Sequence, residues 1–280
     1  MHTDRFRRLR KNALSNLFDK KEVSSIWRKI VRGQLRSLDF KDLFDHYDFN
    51  YNIEERAVAI RNEILNGTYR VSLPLIYKLE KKYGVCRHIV IPQPIDALVL
   101  QVLVEHVAEQ IVDHQPSENA FYSRDKHNVG KLHEAAEYGL SFRKQWKKLQ
   151  KEIYRFNDEK ELLVVTDLSN YYDSISIDEL KKVFLGYVDN NEVLVDVLFR
   201  VIEEISWKPD YLPYSGRGLP TSNLEAIRLL AHSFLFEIDD VLKQRTNNSF
   251  TRWMDDIVIG VNDRKDAIEI ISSVSDMLKS

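Results

Sequence analysis

Apolar residues recur at three- and four-residue intervals over long stretches of the chain, and the elements they predict are mostly helices. Helical spacing predicts one helix over 53–65, which the Asn66-Gly67 pair ends. Leu98, Val102, Val104 and Val107-Ala108 predict another over 94–114, with Pro94 in its first turn and Asp96 close behind. Residues 130–156 read as a helix with a basic stretch at Lys144, Lys147, Lys148 and Lys151. The pattern predicts a single long apolar-faced helix over 222–245 and a last one over 264–279. Strand signals are fewer. Residues 161–167 are short and β-branched, the profile of a buried strand, and 87–91 form a second strand stopped by Pro92. Residues 250–254 and 257–261 flank Asp255-Asp256 as the arms of a tight hairpin with two acids at its tip. Long helices with few strands give a helix-rich α+β fold, and the helices between the strands leave the sheet order open.

Composition narrows the function classes. At 280 residues, 44% hydrophobic and 30% charged, the chain suits one large domain or two modest ones. Forty-one Lys and Arg against 43 Asp and Glu give a net charge of −2, which excludes a uniformly basic nucleic-acid binder. The lone Cys86 excludes an internal disulfide and a Cys-rich zinc site. No apolar run approaches the ~20 residues of a membrane span, and the cationic start has no apolar stretch behind it. These features predict a soluble protein of a reducing compartment, cytoplasmic and without a membrane partner. The charge is uneven, however. Residues 1–40 hold eleven Lys and Arg and four acids, a net +7 that leaves −9 on the remainder. Phe6, Leu9, Leu14, Leu17 and Phe18 recur there at near-helical spacing, so one side of this arm is expected to pack on the protein. Its other side would turn Arg7, Arg8 and Lys11 towards nucleic acid.

The candidate chemistry lies in three acids. Asp167 ends an apolar strand, and Asp255 and Asp256 sit between two more. Acids at the edges of a buried sheet carry a desolvation penalty unless a cation or hydrogen bonds offset it. Three carboxylates on neighbouring strand ends are a natural clamp for two Mg²⁺ ions about 3.5–4 Å apart, with Mn²⁺ as a substitute. A lone Asp-Asp also fits a plain turn tip, where Asp is favoured for backbone reasons.

Five blocks, in order, add a resemblance. Val164-Val-Thr-Asp167-Leu-Ser-Asn-Tyr-Tyr172 resembles motif A of reverse transcriptases, and Trp253-Met-Asp255-Asp256 resembles their motif C. Gly216-Arg-Gly218-Leu-Pro220-Thr-Ser222 sits where motif B belongs. Residues 81–101 are similar to the fingers segment, and Ser117-Glu-Asn-Ala-Phe121-Tyr-Ser-Arg124 to the stretch that follows it. The family's right-hand architecture would make 1–50 a basic helical region, 51–160 the fingers with part of the palm, and 161–280 a palm whose small antiparallel sheet carries the acids.

The resemblance implies a DNA polymerase with two Mg²⁺ ions, deoxynucleotide triphosphates as substrates and an RNA or DNA template-primer, or a protein hydroxyl, as partner. Asp167, Asp255 and Asp256 would be catalytic metal ligands, joined by the Leu168 carbonyl. Arg87 and Lys82 would neutralise triphosphate charge. Tyr172 would act as the steric gate against a ribose 2′-hydroxyl, while Gly218 and Pro220 would let the backbone approach the nucleotide. Arg124 would join Arg7, Arg8 and Lys11 in contacting nucleic acid. Trp253 replaces the usual Tyr or Phe of motif C, and Thr221 replaces the frequent Gln of motif B. The segment 228–239 is most similar to abortive-infection and other phage-defence enzymes of bacteria, some of which make DNA without a template. Only 24 residues follow Asp256, so the thumb is expected from a continuation of the chain or from a partner protein. The rival expectation is a non-catalytic nucleic-acid-binding or assembly module that retains the palm.

Overall fold

The computed structural model describes residues 2–38, 42–44, 46–81, 86–124, 142–188, 191–208 and 216–279. They form an α+β protein whose contacts divide it into two compact units, each built from two stretches of chain. The first comprises Met1–Ala108 and Tyr172–Arg228, and the second Glu109–Tyr171 and Leu229–Ser280. The expected regions 1–50, 51–160 and 161–280 are contiguous; the observed units are not. Among the described residues no helix is long and apolar enough to cross a membrane.

The first unit opens with α1 (His2–Leu14), α2 (Lys20–Ile26), a π-helical turn (Trp27–Val31) and α3 (Arg32–Arg36), followed by α4 (Tyr47–Tyr51) and α5 (Ile53–Asn66). Asp19 caps α2 by accepting from the amides of Lys21 and Glu22. Arg61 of α5 donates from Nη1 to the carbonyls of Ser15 and Phe18, which ties the α1–α2 turn onto α5. Only part of the expected apolar stripe is buried. Leu14, Leu17 and Phe18 lie inside, whereas Phe6 is 68% and Leu9 50% exposed, so packing is confined to the end of α1 and the turn after it. Arg7, Arg8 and Lys11 are exposed on α1.

A hairpin of β1 (Leu75–Glu80) and β2 (Cys86–Ile91) follows, and then α6 (Pro94–Asp113). Asp96, in the first turn of α6, accepts from the Tyr69 hydroxyl at 2.5 Å and from the Ser72 amide at 3.1 Å, so its buried carboxylate has two donors. The one-turn α8 (Tyr171–Ser174) precedes α9 (Ile177–Tyr187) and α10 (Glu192–Ile205) of this unit, whose Phe184 and Phe199 meet edge to face at 5.6 Å.

The second unit is a four-stranded sheet between helices. Its strands are β3 (Ala120–Phe121), β4 (Leu162–Asp167), β5 (Phe250–Trp253) and β6 (Asp256–Val261), in the order β3-β5-β6-β4. β3 runs parallel to β5; the other pairs are antiparallel. α7 (Phe142–Glu159) packs on one face, close enough that a Cβ on Gly260 would come within 3.3 Å of Phe156 Cβ on the helix and within 2.8 Å of Cγ of Lys160, the residue after it. The other face meets α12 (Phe236–Thr246) and α13 (Arg264–Lys279). The part of the expected 130–156 helix that precedes Phe142 lies outside the described residues. β4 corrects the expectation of a buried strand. It is the sheet edge, with Val165 77% and Leu162 43% exposed.

The expected single helix over 222–245 is two helices, α11 (Glu225–Phe234) and α12. Leu235 leaves helical geometry at φ −97°, ψ 8°, and its amide turns to the carbonyl of His232, three residues back.

Candidate functional site

The acids of the second unit are brought together by strand register. β4 and β6 pair so that Asp167 lies directly opposite Asp256, and side chains at such positions share a face with Cβ atoms about 4.5–5.5 Å apart. Trp253 is the partner of Asp256 on the other side, which leaves Met254 and Asp255 as the two-residue turn. The expected tip of two acids is therefore shifted by one residue. Asp255 is in the turn, and Asp256 is the first residue of β6. Met254 holds φ at +56°, an uncommon conformation for a side chain of its size and a locally strained position. The Leu168 amide donates to the Asp255 carbonyl at 3.2 Å, which pins the end of β4 to the turn.

Asp167 and Asp256 are exposed at the open end of the sheet, and Asp255 is half-buried. The Asp256 carboxyl is pushed above the ordinary carboxylate range, first by partial burial and then by the neighbouring charge of Asp167. Among the described residues no set of three or more His, Cys, Asp and Glu side chains stands close enough to enclose a metal ion. Two opposed carboxylates are nonetheless a donor set that suits Mg²⁺, which keeps several waters and is commonly held through one or two carboxylates plus substrate phosphates. A divalent cation would also relieve the repulsion between the two like charges.

Arg252, which the sequence reading did not single out, supports this turn from below. It is fully buried in β5 and donates from Nε and Nη2 to both oxygens of Asp239 on α12, at 2.6 and 2.5 Å. Its Nη1 donates to the Met254 carbonyl at 2.9 Å, so the ion pair grips the strained turn residue directly. The signal available in the sequence was a guanidinium inside the otherwise apolar or neutral strand Phe250-Thr-Arg-Trp253. His232 completes the cluster. Its Nδ1 lies 3.3 Å from Arg252 Nη1 and its Nε2 3.4 Å from Gln115 Oε1, which assigns the ring proton to Nε2. Burial, and then the Arg252 charge, hold the His232 pKa well below the usual histidine value.

The native chain therefore leaves His232 neutral where the unfolded chain takes up a proton, below about pH 6.5. Stability should be full above that pH. It should fall towards the lower native pKa, by up to about 1.4 kcal/mol per pH unit from this residue. Urea unfolding at pH 7.0 and 5.5 checks this: His232→Gln should lose less stability between the two pH values than the parent chain, and an equal loss would contradict it.

The other candidate residues fall in the first unit and in a second cavity. In the first unit Arg87, Tyr172, Thr221 and Ser222 line a cavity of about 290 Å³. A parallel bridge between Ile89 and Thr221 joins β2 to the segment before α11, with the Val90 amide donating to the Thr221 carbonyl at 2.9 Å. Gly218 holds φ at +101°, a region open to glycine, and its amide donates to the Ile175 carbonyl. The Leu219 amide donates to the Tyr172 carbonyl at 2.8 Å, so the glycine segment fixes the backbone of Tyr172. Pro220 is buried beside it. The start of α11 is held by Gln101, which donates to Glu225 Oε2 at 2.8 Å and accepts from the Ala226 amide at 3.1 Å. Lys82 lies outside the described residues. In the second unit Arg124 is 4% exposed and lines a cavity of about 530 Å³ with Lys148 and Lys151 of α7. No protein-family model matches the chain, and no curated protein is significantly similar to it.

Proposed function

We propose that the chain is a nucleotidyltransferase of the reverse-transcriptase type, which joins deoxynucleotides from their triphosphates to a 3′-hydroxyl or a protein hydroxyl. The observation that carries this reading is the register pairing of Asp167 with Asp256, since the two acids belong to the blocks that resemble motifs A and C. Under this reading Asp167, Asp255 and Asp256, with the Leu168 carbonyl, would hold two Mg²⁺ ions. Such ions, when bound, supply positive charge to the attacking and leaving oxygens of phosphoryl transfer. The hydroxyl gives up its proton to water, its oxygen attacks the α-phosphorus, the bond from that phosphorus to the oxygen shared with the β-phosphate breaks, and pyrophosphate leaves with the electron pair of that bond. The chain's own part is positioning. Arg87 meets phosphate charge, Tyr172 borders the same cavity as a sugar-sensing ring, and Arg252 keeps the acid-bearing turn in place. A role in bacterial antiviral defence is part of the proposal and rests on the likeness of 228–239 to phage-defence enzymes.

Sugar choice tests the reading. The full chain, given Mg²⁺, an oligonucleotide primer and labelled nucleotides, should incorporate deoxynucleotides in preference to ribonucleotides. Tyr172→Ala should raise relative ribonucleotide use by roughly 10–100-fold. An unchanged ratio in an active variant would remove Tyr172 from the sugar site.

A further inference from the structure

The aromatic residues beside the acids are more exposed than packing requires. α7 buries Gln145, Leu149 and Phe156, a stripe at helical spacing that suffices to seat it on the sheet. Phe142 and Trp146 lie outside that stripe and remain 52% and 40% exposed. Their rings are within 6° of parallel, at 6.2 Å between centroids, and each meets Trp253 edge to face, at 5.3 and 5.4 Å. Trp253 is in turn the register partner of Asp256. The cluster thus runs from the surface of α7 to the residue opposite a candidate metal ligand. Charge points the same way. Residues 142–151 contain Arg143, Lys144, Lys147, Lys148 and Lys151 and no acid, and exposed Arg143 and Lys147 each follow one of the rings in the chain.

We infer that the Phe142–Trp146 face of α7 is a docking track for single-stranded nucleic acid, with bases stacked on the rings and phosphates met by Arg143 and Lys147. Exposed ring faces interleaved with cations are what a strand of unpaired bases needs. A duplex has its base faces already covered by stacking. The track deepens the nucleotidyl-transfer reading and rests on it for its place beside the acids.

The test is fluorescence anisotropy of a short fluorescein-labelled oligo(dT) with the full chain, without divalent metal or nucleotide. Phe142→Ala/Trp146→Ala should weaken binding by roughly 10–100-fold and leave its salt dependence unchanged. Arg143→Gln/Lys147→Gln should lower the salt slope by about 1.4. Trp146→Tyr, which keeps a ring, should retain most of the affinity and so separates loss of stacking from loss of fold. A labelled duplex of equal length should not distinguish the ring variant from the parent. Oligo(dT) binding by the ring variant within twofold of the parent, or equal losses in Trp146→Tyr and Trp146→Ala, would overturn the track. Ring-dependent binding by a chain that incorporates no nucleotide would keep the track and refute the transfer reading; incorporation with ring-independent binding would do the reverse.

Discussion

Asp256→Asn and Asp167→Asn should each abolish Mg²⁺-dependent nucleotide incorporation, by a factor on the order of 10³ or more, because a divalent ion contributes several kcal/mol of charge stabilisation. Neither variant should be less stable. The two carboxylates are register partners across the β4–β6 ladder, and the charge of Asp167 adds to the burial that disfavours the charged form of Asp256. Replacing one by a neutral isostere removes that repulsion, so the metal-free variant should melt at the same temperature as the parent or above it. Loss of activity with retained or increased stability is the mark of residues kept for chemistry. A variant that loses both would place the acids among the fold's structural polar groups. Full activity in either variant would remove that residue from the metal site.

Arg252→Met should show the opposite pattern and destabilise the protein by about 3–5 kcal/mol. The guanidinium is fully buried, satisfies both Asp239 oxygens and holds the Met254 carbonyl, so its removal leaves a buried carboxylate without a partner. The double variant Arg252→Met/Asp239→Leu removes both charges and should recover much of that loss. Denaturant unfolding of the two single variants and the double gives the coupling directly. A double variant as unstable as the sum of the single ones would mean that the pair is not the source of the effect. Because the Met254 turn carries Asp255 and leads into Asp256, the double variant should still be impaired in incorporation after its stability is restored.

The contrast between these residues shows what was legible in the sequence. The acids stood out because a carboxylate at the end of an apolar strand is locally anomalous; their register was not legible, since the hairpin reading put both acids at the tip and the strand that pairs Asp167 with Asp256 lies far away in the chain. Helices with one apolar face were equally visible: 264–279 was predicted at the observed bounds of α13, and 53–65 to within a residue of α5. β1 was missed, since Leu75 and Leu79 are 56% and 37% exposed and the strand has no buried alternation. β3 spans two residues and exists only because β5 lies beside it. The break at Leu235 was hidden because apolar residues continue through it and the change is in backbone angle alone. The exposure of β4 depends on its place at the sheet edge, which β-branched composition cannot report. The Arg252–Asp239 pair was out of reach for a similar reason. It joins a strand to a helix thirteen residues earlier, and nothing in local periodicity says that the two will meet.

The most direct test of the central claim, that the opposed acids hold a divalent ion for nucleotidyl transfer, is Mn²⁺ binding followed by electron paramagnetic resonance. It is measured on the full chain with and without a deoxynucleotide triphosphate. The parent chain should bind Mn²⁺ more tightly when the nucleotide is present, Mg²⁺ should displace it, and Asp167→Asn and Asp256→Asn should each lose the protein-dependent part of the signal. Mn²⁺ binding by the parent chain plus nucleotide that is no stronger than binding by the nucleotide alone, or that is identical in Asp256→Asn, would contradict the account.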